Sequence, residues 1–108
     1  MARYFCSAKM TPEGVAGLRA GGYAKRSADL RTIWESVGAS VESVFYPLTP
    51  EWTVVLIVNA SSDDVFSVWS RACANSTTER GDAIEIRTGE EADAATSKSV
   101  NYIPPGKA

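Results

Sequence analysis

The chain has 108 residues, with 11 Lys and Arg against 13 Asp and Glu, a formal charge of -2, and no histidine. A chain of this length fits one domain that buries roughly two-thirds of its unfolded surface, so a core forms without disulfides or a metal. The charge balance argues against polyanion binding as the main task, and the missing histidine excludes every Ser-His, Cys-His and His-ligand site built from this chain alone.

Along Ala2 to Met10, the residues Tyr4, Cys6, Ala8 and Met10 alternate with Arg3, Phe5, Ser7 and Lys9. That period of two predicts a strand. Thr11-Pro12-Glu13-Gly14 follows, with Thr11 suited to cap a helix and Pro12 to its first position, so a short helix through Leu18 is expected. Gly21-Gly22 breaks it. From Ala24, the spacing of Leu30, Ile33, Trp34 and Val37 predicts the first main helix, which stops at Gly38. Ser40 to Tyr46 alternates again, with Val41, Ser43 and Phe45 opposite Glu42, Val44 and Tyr46, and a Pro47 to Pro50 turn makes a hairpin with the next strand.

That next strand, Trp52 to Asn59, is apolar on both faces and must be covered twice. Ser61 to Asp64 offers caps for the second main helix, whose stripe is Val65, Val68, Trp69 and Ala72 with Phe66 and Cys73 beside it. Asn75 to Gly81 is polar, Ile84 and Ile86 mark a last strand, and beyond Gly89 the chain turns acidic and rich in small residues. The order strand, helix, strand, strand, helix, strand predicts an α+β, ferredoxin-like βαββαβ domain with a four-stranded antiparallel sheet over residues 1–90, followed by a C-terminal tail, 91–108. Two cysteines in apolar surroundings read as reduced and structural, which suggests a cytoplasmic protein. The longest apolar run, Val54 to Val58, is far short of the ~20 residues of a membrane span, so no membrane partner is expected.

The first 38 residues carry six basic against three acidic side chains, Arg19, Lys25, Arg26 and Arg31 among them. An anion site near the first helix competes here with the plainer reading, favoured on sequence, of a solvated helix face. Nucleic-acid binding is not expected, because Trp52 to Asn59 has neither a basic residue nor a glycine, and no aromatic after its first position. The carboxylates Glu13, Glu42, Glu51, Asp82 and Glu85 are scattered, Asp63-Asp64 reads as capping, and Cys6 has no partner that would make it a nucleophile. No catalytic residue is assigned and no metal or cofactor is expected. Tyr23, Tyr46 and Trp52 fall at element ends, where aromatic bodies with polar tips line clefts, and are the candidate ligand-binding residues. Phe5, Val44, Val55 and Ile57 are assigned to the sheet face away from the helices, an apolar patch that a second copy of the chain would cover.

The opening strand with Thr11-Pro12-Glu13-Gly14, the run Phe45-Tyr46-Pro47-Leu48, the strand Val54 to Val58, the Asp63-Asp64 helix start and Arg87-Thr88-Gly89-Glu90-Glu91 together resemble the small bacterial GYD-domain proteins over about residues 2 to 91. Where that family has its naming triad, Pro50, Trp52 and Thr53 stand here, with Glu51 between the first two. The resemblance implies a dimeric α/β barrel. The leading expectation is a homodimer or higher oligomer that binds a small apolar or aromatic molecule in the cleft between sheet and helices. Two alternatives stand beside it: a cofactor-independent monooxygenase, isomerase or cyclase acting on an aromatic or polyketide-like substrate, and a structural self-assembly module.

Overall fold

A computed structural model describes residues 1–106. Its elements are β1 (Ala2–Met10), α1 (Pro12–Gly21), α2 (Tyr23–Glu35), β2 (Ser40–Phe45), β3 (Val54–Ala60), α3 (Ser62–Cys73), β4 (Thr78–Ile86) and α4 (Gly89–Ala95). The four strands form one sheet in the order β2-β3-β1-β4, antiparallel throughout, which is the ferredoxin-like arrangement. The expected fold class is therefore the observed one. No helix of the described residues is long and apolar enough to cross a membrane.

Local chemistry explains the punctuation. The Thr11 side chain accepts a hydrogen bond from the Gly14 N–H at 3.2 Å and donates to the Ser76 carbonyl at 2.8 Å, so it caps α1 and ties the β1–α1 corner to the segment before β4. Gly22, at φ +96°, separates α1 from α2, and Gly38, at φ +89°, turns the chain out of α2. Ser61 and Asp64 form a reciprocal capping box on α3.

Helices α2 and α3 lie on one side of the sheet. Cys6, Leu56, Val58 and Ala60 from the sheet meet Trp34, Val65 and Val68 from the helices, and a second cluster joins Ala8 and Val54 to Leu30. Trp34 is the largest fully buried side chain, and its ring meets that of Trp69 edge to face at 6.2 Å. Along β3 the burial alternates residue by residue, with Val54, Leu56, Val58 and Ala60 inward and Val55, Ile57 and Asn59 on the open face.

Several expectations need correction. Val44 is not on the open face: it pairs with buried Leu56 and packs against the core, because the β2–β3 register shifts between Val41 and Ser43. The extra residue, Glu42, lets Val41 and Val44 both face inward and puts Phe45 outward, opposite Val55 and 59% exposed. Strand β4 starts at Thr78, earlier than its apolar residues imply, since the polar stretch Thr78 to Asp82 pairs with β1 as far as Met10. On α3, Phe66 and Cys73 are exposed, so the buried stripe is narrower than expected. Thr88 and Glu91 form a capping box that starts α4 at Gly89, so this helix runs across the expected boundary between residues 90 and 91. Beyond α4 every described residue is exposed, Val100, Tyr102 and Ile103 included.

Gly14 packs against the backbone carbonyl of Thr77 so closely that a Cβ has no room, whereas a Cβ on Gly17 would meet nothing within 4 Å. Gly14→Ala is expected to destabilise the domain by about 1–3 kcal/mol. Gly17→Ala is expected to leave it unchanged or stabilise it by up to ~1 kcal/mol. Urea denaturation of the two variants checks both values.

Candidate functional site

Tyr23, Tyr46 and Trp52 come from three separate elements, and all three line one open cleft of about 500 Å³ at the end of the β2–β3 hairpin, with Met10, Val15 and Leu48 among its other walls. Tyr23 opens α2, Tyr46 follows β2 and Trp52 precedes β3. Thr53 fixes the approach to β3, because its N–H donates to the Ala8 carbonyl at 2.8 Å and its hydroxyl accepts from the Met10 N–H at 3.0 Å. The side chain of Trp52 is held by Arg80, whose guanidinium lies 4.9 Å from the ring centroid and also pairs with Glu51 at 2.6 Å.

The Tyr46 phenol has a structural task. It donates to the Tyr23 carbonyl at 3.0 Å, and since a phenol has one hydrogen, the Ser27 hydroxyl 2.9 Å away donates to it. The Tyr23 and Tyr46 rings meet edge to face at 4.9 Å. Tyr46 thus latches the start of α2 to the end of β2, and the aromatic surface left for a ligand belongs to Tyr23, 47% exposed, and Trp52.

The space between the sheet and helices α2 and α3 is far smaller. An enclosed cavity of about 50 Å³ lies there, walled by Trp34, Trp69, Leu30, Val54 and Arg26. That is well below the ~150 Å³ of an apolar cavity known to admit benzene. An aromatic ligand has room at the hairpin end and not in the interior.

The open face carries an apolar band across all four strands. Phe5 pairs with Ile57 on one side and Ile84 on the other, and Phe45 pairs with Val55 beside them. Ile84 is 53% exposed, and neither it nor Phe45 is among the residues the sequence pattern assigns to this patch. Alternation places Ile84 there once β4 is paired with β1, but Phe45 depends on the bulge. At one end of the band Arg3 bridges Glu42 and Glu91, each at 3.0 Å, and Asn59 donates to Glu42. The Asn59 amide and Arg3 hold the Glu42 carboxyl below its ordinary range, and the Thr88 N–H and hydroxyl, with Arg3, do the same for Glu91.

Among the described residues, Glu42, Glu51 and Glu85 each pair with an arginine and none of them with another carboxylate, and no group of three His, Cys, Asp or Glu side chains could hold a metal ion. A scan against protein-family models finds no match to this chain, and a search of curated proteins finds none either.

Burial, reinforced by Asp82, pushes the Cys6 thiol up to about 12, while Cys73 is exposed. In the native protein one thiol should react with a disulfide reagent and the second only after denaturation, which a thiol count with and without guanidinium checks. The sign of the pH effect follows. The unfolded thiol ionises from about pH 8.5 and the folded one does not, so stability falls as pH rises through that value, and Cys6→Ala should remove that part of the alkaline decline.

Proposed function

We propose that this chain is a cytoplasmic, GYD-like dimeric α/β-barrel protein that binds a small, neutral, aromatic or apolar molecule in the hairpin-end cleft. The observation that carries the ligand reading is the convergence of Tyr23, Tyr46 and Trp52 on one cleft of about 500 Å³, a volume within the usual range for small-molecule sites. A ligand there lies against Tyr23 and Trp52, with Leu48 on the loop as an apolar cover, while Arg80 braces the indole. With a buried Cys6 and no disulfide, the cysteines fit a reducing compartment.

Titration with 1-naphthol tests this reading. The Trp52 indole N–H resonance should shift and saturate, and Trp52→Leu should weaken binding about tenfold, in keeping with loss of an aromatic contact. Tyr46→Phe should lower both affinity and stability, because it releases the latch on α2. An unmoved Trp52 resonance at millimolar naphthol would refute the assignment.

A second reading, the self-assembly module, is favoured by one observation of its own: the band of Phe5, Phe45, Val55, Ile57 and Ile84 on the open face. A contiguous apolar patch of this kind is seldom left to water, and a two-fold copy covers it with itself. In this reading the dimer is the function; in the first it is the frame of the site. Light scattering should give twice the chain mass for the wild type and a folded single-chain mass for Ile57→Lys. A wild-type monomer at high micromolar concentration sinks the dimer in both readings.

A further inference from the structure

Two buried polar side-chain atoms have no hydrogen-bond partner among the described residues, Arg26 Nε and Trp69 Nε1. They come from different helices, α2 and α3, and both side chains line the same enclosed cavity above the sheet. Each orphan is an N–H, which donates and cannot accept. A buried donor without a partner costs free energy, and a charged one costs more, so such groups in a native structure point to a missing acceptor.

Within its basic cluster, Arg26 is the residue with a buried and unpartnered nitrogen. Lys25 pairs with Asp29 at 2.9 Å, but no ion pair or side-chain hydrogen bond engages the Arg26 guanidinium among the described residues. The burial of Nε turns that part of the half-buried side chain away from the solvated face that the sequence favours for this cluster. Arg26 and Met10 line both the inner cavity, about 50 Å³, and a larger outer groove of about 240 Å³ between α1 and α2. Four glycines, Gly14, Gly17, Gly21 and Gly22, line that groove beside Leu18, and a Cβ on Gly17, Gly21 or Gly22 would meet nothing within 4 Å.

We propose that Arg26 and Trp69 form a receptor for a small monocarboxylate, separate from the hairpin-end cleft. The carboxylate head accepts hydrogen bonds from the Arg26 guanidinium and the Trp69 indole at the inner cavity, and the compact apolar body lies in the glycine-lined groove. The ligand class follows from three limits. The orphans demand an acceptor-only group. The inner cavity admits a head group and no ring. The groove's second cation is already neutralised by Asp29, which leaves one positive charge to match. Gly81 serves the same site, because a Cβ there would stand 3.3 Å from the Trp69 ring, so its absence lets the indole lie against β4.

The test is a titration of nitrogen-15-labelled protein with benzoate, its neutral counterpart benzyl alcohol, acetate and inorganic phosphate, following the three indole N–H signals and the Arg26 Nε–H. Benzoate should shift the Trp69 and Arg26 signals saturably, and benzyl alcohol should not. Arg26→Met, which keeps an apolar stem, should weaken benzoate about 10- to 100-fold, the loss expected for a charge-assisted hydrogen bond. The proposal is overturned if neither signal moves with any of the acids, if benzyl alcohol or phosphate acts as well as benzoate, or if folded Arg26→Met binds benzoate as the wild type does. Should Arg26→Met not fold, the wild-type comparison of benzoate with benzyl alcohol decides alone. A shift confined to Trp52 would place benzoate in the hairpin cleft and also overturn it, whereas failure of naphthol at Trp52 has no bearing on this site.

Discussion

The edge-to-face contact of Trp34 with Trp69 sets the spacing of everything above the sheet. It joins α2 to α3 through two rings 6.2 Å apart, and rings in that geometry pack without closing the space around them completely. The small cavity between the helices and the sheet is what remains, and Arg26 reaches it from α2. The same contact reaches into the sheet, since a Cβ at position 81 would stand only 3.3 Å from the Trp69 ring and would press on it. One aromatic pair thus bears on a helix separation, a void and the room left at position 81 of β4.

Much of this architecture is legible in the sequence because it depends on neighbours along the chain. The β1 alternation, the Thr11 cap with Pro12, the glycine breaks and the Trp34 position are all local signals, and they match the observed elements. The errors arise where a distant partner decides. Val44 changes face because a bulge opposite β3 absorbs Glu42, and no pattern within β2 announces an extra residue. The polar start of β4 is a strand because β1 offers it a ladder, which a count of apolar residues overlooks. Helix α4 was within reach, since Thr88 and Glu91 have the spacing of a capping box, but it has no buried residue and so no apolar period.

The candidate site divides in the same way. Position at element ends was enough to bring out Tyr23, Tyr46 and Trp52 together, and the fold places all three on one cleft. What each atom does there could not be read so directly. The Tyr46 hydroxyl is spent on Ser27, nineteen residues earlier, and on a backbone carbonyl, so a group that looked available for recognition holds two elements together instead. Arg26 went the other way: a charge that belongs on a wet surface by composition lies with its Nε buried and unpaired.

The bulge in β2 and the charges on β4 have a bearing on how large an assembly of this chain can grow. Both are edge strands, and an edge is where sheets add to one another without limit. On β4 a newcomer would have to strip water from Glu79, Arg80, Asp82 and Glu85, and on β2 it would meet a backbone whose ladder is broken at Glu42. Extension in the plane of the sheet is closed at both margins. The apolar surface faces perpendicular to that plane, so the surface that favours contact and the edges that would propagate a fibre lie at right angles, and only the edges carry devices against growth.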